Sequence, residues 1–446
     1  MTTANTAPLG RRRWTMLIVL GLVGQLAWTV ENMYLNVFVH DTISDDPAVI
    51  AAMVAASATA ATAATLTIGA LSDRLGRRRA FIAGGYLAWG LTTAAFGMVT
   101  LDTAAALAPA ADAAALAVIL VIALDCLMSF LGAGANDAAF QAWVTDVTRP
   151  ANRGRVEAVL AIMPLMAMLV VFGGFDALTR AGHWTAFFLA IGAITAAAGG
   201  TAALFVRDAP AARRDHATGY LAGLAEGLRP ATMRAHPGLY LALTAWCVWG
   251  VSTQVFLPYL IIYLQRYLNI DGYALVLAVV LTGASAVSVA CGPLIDRAGK
   301  ARFLPPAIAL YAAGLLLMPL ARGTLPVIGA GLVLMSGFML VLAPIGALVR
   351  DHTPPGRAGH VQGLRMVFAI LIPMIIGPWI GATVIKGADR HYEELGVLKQ
   401  VPTPAIFLAA AAVLALIVAP VLALRRTTPP PASGAGDHDT KENAAP

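Results

Sequence analysis

Apolar residues run in twelve blocks along the chain, each about 20 residues long, the length a helix needs to cross a bilayer. They fall at 14–39, 48–71, 80–100, 113–136, 157–178, 185–206, 239–264, 273–295, 303–321, 325–348, 363–386 and 403–424. Polar and charged residues collect between the blocks. At membrane depth a backbone amide or carbonyl finds its partner only within a helix or a closed barrel, and runs of this length and continuity predict helices. The fold expected is an all-α membrane protein with twelve transmembrane helices.

Composition sharpens the class. Hydrophobic residues make up 59% of the 446 and charged residues 12%, about half the charged content of a soluble domain. The net charge of +6 does not point to nucleic acid, because the basic residues sit in short clusters between apolar blocks. Cys126, Cys247 and Cys291 lie inside apolar blocks without short spacings, so neither a disulfide framework nor a metal site is indicated.

The basic residues also set an orientation. With the N-terminus in the cytosol, the inner segments carry 24 Lys and Arg and the outer loops 6, the bias expected of a protein with both termini inside. The organisation expected is a cytosolic N-terminus (1–13), a six-helix bundle (14–206), a cytosolic linker (207–238), a second six-helix bundle (239–424) and a disordered cytosolic tail rich in Pro, Ala and polar residues (425–446). Within the linker, YLAGLAEGL has the pattern of a short amphipathic interfacial helix.

The two sets of six are related. GALSDRLGRRR at 69–79, between blocks two and three, returns as GPLIDRAGKAR at 292–302, between blocks eight and nine, matching Gly69, Leu71, Asp73, Arg74 and Gly76 to Gly292, Leu294, Asp296, Arg297 and Gly299. A second pair, TDVTRPANRGR at 145–155 and RDHTPPGRAGH at 350–360, shares the frame D-x-T-x-P-x-x-x-G. Twelve spans in two related halves with this motif resemble the major facilitator superfamily of secondary transporters. The resemblance implies two pseudosymmetric six-helix bundles that alternate access to a central cavity. It also implies a gating latch of Gly69, Asp73, Arg74, Gly76, Arg77 and Arg78, with Asp296 and Arg297 in the copy. Asp73 would face the start of span eleven, where Arg365 offers a second ligand, and Asp296 the start of span five, near Arg153 and Arg155.

A charge at bilayer depth costs several kcal/mol, so an intramembrane carboxylate marks function by default. Asp125 lies near the middle of span four and Glu31 in the outer part of span one; in the resembled fold both spans line the cavity. Asp125, Ser129, Gly132 and Asn136 follow at steps of four, three and four and share one helix face. Span one repeats the spacing with Gln25, Thr29, Asn32 and Asn36, and span seven adds Trp246, Trp249, Thr253 and Gln254, a set suited to a sugar ring. Span ten offers only Ser336. Desolvation favours the neutral form of a carboxyl group, so Asp125 and Glu31 are expected to couple transport to protons. Sodium is the second choice of ion, with hard oxygens from Glu31, Asn32, Asn36 and Asp125. Asp137 and Asp146 are expected to pair with Arg153 or Arg155 at the cytosolic rim.

GRRRAFIAGG and DCLMSFLGAGANDAAFQAWVTD are similar to runs in the sucrose and glycoside cation symporters, with Ala80 where those carry proline. That implies a proton-coupled sugar or glycoside symporter in the cell membrane, monomeric, its partners a small solute and the lipid bilayer. The rival is proton-linked drug efflux, whose G-x-x-x-G-P-x-x-G-G run is missing from span five; a partial version, IGPWIGA, stands at 376–382. Loops for nucleotides and motifs for hydrolysis are absent from the sequence, so no enzyme activity and no cofactor is expected beyond an ion gradient.

Overall fold

In the computed structural model, residues 10–148, 150–208, 226–353, 358–394 and 397–427 are described. Eleven helices among them are long and apolar enough to cross a membrane: α1 (Arg11–Thr42), α2 (Pro47–Ser72, continuing to Leu75), α3 (Arg78–Met98), α4 (Ala113–Val147), α6 (Trp184–Phe205), α7 (Pro237–Tyr267), α8 (Tyr273–Gly292, continuing to Ala298), α9 (Lys300–Leu320), α10 (Thr324–Asp351), α11 (Gly363–Ala388) and α12 (Ala405–Leu424). The remaining block corresponds to α5 (Pro150–Gly174), a helix of 25 residues whose described apolar stretch runs Val159–Gly174. The protein is an all-α membrane protein. The YLAGLAEGL segment up to residue 225 and the tail from 428 lie outside the described residues.

Helix ends follow local chemistry. Asp46 caps α2, accepting from Ala48 N at 2.8 Å, with Pro47 at the first helical position, where its missing N–H costs nothing. At the other end Gly76, φ +61°, closes the helix in the left-handed conformation, its amide bonding Ser72 O. Gly299, its counterpart in the repeat, also has positive φ (+82°). The glycine kept in both copies of the motif is therefore the one that ends a long helix and turns the chain.

Close packing is concentrated elsewhere. A Cβ built on Gly69 would meet only Ala138 Cβ at 3.8 Å, an ordinary contact, and one on Gly292 would meet nothing within 4 Å. A Cβ on Gly90 would come within 2.4 Å of Ala196 N and Gly192 O, because α3 and α6 cross there backbone to backbone. Gly90→Val should therefore lower the thermal midpoint in detergent, at a cost of about 1–3 kcal/mol, whereas Gly84→Val, with nothing within 4 Å, should leave it unchanged; equal midpoints would remove the packing argument.

Two ends can be told apart. Between α11 and α12 an antiparallel hairpin, β1 (His391–Glu394) with β2 (Val397–Gln400), pairs His391 with Gln400 and Glu394 with Val397, a feature the apolar pattern did not predict. At this hairpin end the first six helices are bonded to the last six. Tyr259 OH reaches Pro47 O at 3.1 Å, Lys386 pairs with Asp46 at 2.8 Å, Arg266 with Asp41 at 3.1 Å, and Gln400 N donates to Asp45 Oδ2 at 2.9 Å. Asp176, which follows α5, is 4% exposed. It accepts from Tyr34 OH at 3.0 Å and from Tyr273 OH, and pairs with Arg180 at 2.9 Å.

At the opposite, arginine end, the side-chain bonds between described residues stay within one set. Arg12 donates to Phe205 O and Leu204 O and Arg78 pairs with Asp146 at 3.3 Å, within the first six helices, and the Arg79 amide donates to Asp208 just after them; Lys300 pairs with Asp351 in the last six. The pairing of Asp146 with Arg78 replaces the one expected with Arg153 or Arg155. Apolar packing between the sets brings the Ile372–Ala388 part of α11 against α2, and α8 against α5.

Candidate functional site

Four of the described helices depart from regular α geometry through π turns: α1 at Val30–Tyr34, α4 at Ala133–Phe140, α7 at Tyr263–Tyr267 and α11 at Val367–Leu371. Such turns are common at functional sites because the extra residue re-aims a side chain. Those in α1 and α4 carry Glu31 and the pair Asn136–Asp137.

Glu31 is 7% exposed and Asp125 1%. Ser129 Oγ donates to Glu31 Oε1 at 2.6 Å, joining α4 to α1, and Ser57 of α2 brings a hydroxyl to Asp125. Glu31 Oε2, Asp125 Oδ1 and Asn36 Oδ1 are sealed from solvent and meet no hydrogen-bond partner among the described residues. Below them Tyr86 OH lies 2.8 Å from both Asn136 Oδ1 and Leu20 O, and Asn136 Nδ2 donates to Asp137 Oδ1 at 2.8 Å. Asn136 fits beside α1 because position 24 is glycine; a Cβ there would stand 2.4 Å from its Oδ1.

The face drawn on span four, Asp125, Ser129, Gly132 and Asn136, is buried throughout. Span one divides: Asn36 is buried, Gln25 is half-buried, and Asn32 is exposed with its amide turned back to Trp28 O at 2.8 Å. Asp137 is the correction. It does not lie at the rim with Arg153 or Arg155 but bonds Asn136 and Trp28 and acts electrostatically on Glu31. The π turn brings residue 137 toward the face that residue 136 occupies, and no sequence signal announces a π turn.

The other side is aromatic. Trp249 packs at a tilt against Phe338, ring centres 4.8 Å apart, and lies 6.5 Å from Tyr311, whose hydroxyl is 2.9 Å from Thr253 Oγ1. Trp246 carries the Arg365 guanidinium over its ring at 5.3 Å. Gln254 is half-buried where Gly377 of α11 closes on it, and Ser336 is buried. Tyr86, Trp28, Ser57 and Tyr311 were not singled out by sequence, since each is a single polar group in an apolar stretch. In the latch motif, Gly69 and Gly76 are described above; Arg78 is bonded to Asp146 and Ser72, while Arg74, Arg77 and Arg297 are exposed. The side chains of Asp73, Asp296 and Arg153 lie outside the described residues. Among the described residues no group of three or more His, Cys, Asp or Glu is arranged to hold a metal ion.

A helical membrane protein with paired acids sealed near its centre, its two sets of helices bonded at one end, has the build of a transporter for small molecules. The sequence profile described as Major Facilitator Superfamily matches residues 16–378 and again 252–444. The chain belongs to that superfamily, and it is a secondary transporter. Among solved structures, a mutant form of the nucleoside transporter NupG superposes with a TM-score of 0.69 at 14% identity, covering 92% of this chain and 99% of that one. A bacterial homologue of the human lysosomal transporter Spinster, in an inward-facing and occupied conformation, superposes with a TM-score of 0.65 at 14% identity, covering 94% and 98%. No curated protein sequence matches the chain.

Proposed function

We propose that the protein is a proton-coupled symporter of a small hydroxylated solute of the sugar or glycoside class, acting as a monomer in the cell membrane by rocking its bundles (14–206 and 239–424) about the central site. The observation that carries this reading is the Glu31–Asp125 pair: two buried carboxyls, each with an oxygen that meets no partner among the described residues. Such groups need a cation when the cavity closes, and a proton is the one that fits without new ligands. The charge bias of the loops sets the arginine end in the cytosol. The described arrangement, bonded at the hairpin end, is then the one closed to the outside. Trp246, Trp249 and Gln254 supply aromatic faces and an amide for a ring, and a nucleoside transporter, among the structures of similar fold, handles a solute that contains one.

The test is uptake into proteoliposomes under an imposed pH gradient, with a panel of labelled sugars and glycosides. Accumulation that follows the gradient and collapses with a protonophore is expected. Accumulation that follows sodium instead overturns proton coupling, and ethidium expelled against the gradient, with no solute taken up, establishes efflux.

A further inference from the structure

We propose that Arg365, laid against Trp246, binds a carboxylate carried by the transported solute, so that the solute is a small hydroxylated organic anion of the sugar-acid kind. This deepens the symport reading and rests on it.

Arg365 stands near the start of α11, half-buried, its guanidinium carbon 5.3 Å from the centre of the Trp246 ring on α7. Three other arginines at helix ends have acids: Arg78 has Asp146, Arg180 has Asp176 and Arg266 has Asp41. Arg365 makes no hydrogen bond or ion pair among the described residues, and the ionised group that acts on it is a like charge, Arg350. Arg365 is half-buried, so part of the side chain stays accessible to an incoming group. An indole face attracts a cation by about 0.5–2 kcal/mol but accepts none of its N–H bonds in the plane of the fork. A guanidinium placed over an indole ring, with no acid beside it among the described residues, keeps the N–H fork that receives a carboxylate through two parallel bonds.

Position in the fold agrees. Arg365 precedes by two residues, about 3 Å along the helix, the Val367–Ala388 stretch through which α11 packs on α2 of the other set. It therefore sits on the side of that contact nearer the arginine end. Trp246 is backed by α10, where a Cβ on Gly346 would touch its ring at 3.5 Å, so the platform is fixed. Glu31, Asp125 and Asp137 on α1 and α4 repel an anion, which leaves α7 and α11 as the side that takes it. One carboxylate on Arg365 and one proton on the acids add no net charge to the loaded cavity, so it can close at low electrostatic cost.

Charge balance supplies the experiment. In proteoliposomes, uptake of a labelled hexuronate is compared with that of the corresponding neutral hexose. One arm imposes a pH gradient at zero potential, the other a potassium–valinomycin potential at equal pH. The hexuronate should follow the pH gradient, ignore the potential and exceed the hexose by about tenfold, which is one 1.4 kcal/mol step. Arg365→Gln should raise its half-saturation concentration about tenfold and Arg365→Lys less, since lysine keeps the charge without the fork. Tryptophan fluorescence of detergent-purified protein, titrated with hexuronate, reads binding directly, and equal thermal midpoints show that the variants fold. Electrogenic uptake of the neutral hexose, untouched by Arg365→Gln, overturns this inference and leaves symport standing. Uptake of both solutes without response to the pH gradient overturns symport, while the fluorescence titration still decides the anion site. An Arg365→Gln effect seen only in vesicles with anionic lipid, with no hexuronate binding in phosphatidylcholine, assigns the site to a headgroup and overturns the inference.

Discussion

Asp125→Asn should abolish accumulation driven by a pH gradient, lowering the steady-state level by about tenfold or more, the scale of a coupling free energy of 1–3 kcal/mol, while solute exchange across the membrane persists. Asp125 is 1% exposed, with Oδ1 lacking a partner among the described residues and Ser57 bringing a hydroxyl. Asparagine keeps the size and the polar atoms and removes the proton that the carboxyl would carry. The cavity can then close at any time, loaded or not, and the gradient loses its hold on the cycle. Counterflow of labelled against unlabelled solute separates this from misfolding, because exchange needs the fold and the solute site without net proton movement. A variant that still concentrates solute to the parental level, with counterflow intact, takes Asp125 out of the coupling role. Glu31→Gln should act in the same direction more weakly, since Glu31 already shares Oε1 with Ser129 at 2.6 Å.

Asp176→Ala should open the hairpin end. The carboxylate receives hydroxyls from Tyr34 on α1 and Tyr273 on α8 and an ion pair from Arg180, and so joins the two sets of helices through one buried acid. Removing a partner from a buried charged cluster costs about 3–5 kcal/mol. Arg180 is half exposed, so the lower figure is the one to expect, about a hundredfold in population. Spin labels at Asp102 and Leu325, both exposed at that end, in a background without Cys126, Cys247 and Cys291, should show a longer distance in Asp176→Ala. Tyr273→Phe, which removes one bond, should shift it partway. Identical distance distributions in parent and Asp176→Ala would mean that the other bonds at this end, Lys386–Asp46 and Arg266–Asp41, hold it closed alone.

What could be read from the chain divides by the range of the interaction. The apolar blocks placed the helices because crossing a bilayer is a requirement on each segment alone, met within its own residues. The twelfth block is a helix as well, α5, which begins with the charged PANRGR. The hairpin His391–Gln400 went unread because HYEELGVLKQ has no strong strand alternation and finds its place by lying on Asp41, Asp45 and His40 of the other set. On span four the helical period put Asp125, Ser129 and Asn136 on one face, while Asp137 needed the π turn. Asp146 and Asp176 found partners in Arg78 and in Tyr34 and Tyr273, each far away in sequence.

The class of protein, the count of apolar blocks, the repeat and the acids worth attention were determined by sequence alone, because hydropathy, charge and helical period are properties of short stretches. Which acid meets which hydroxyl, which arginine lies on an aromatic ring with no acid beside it among the described residues, and which end of the bundle is bonded across the two sets were decided only by tertiary structure. Those depend on side chains brought together from helices far apart in the chain, and their energies exist only once the helices have packed.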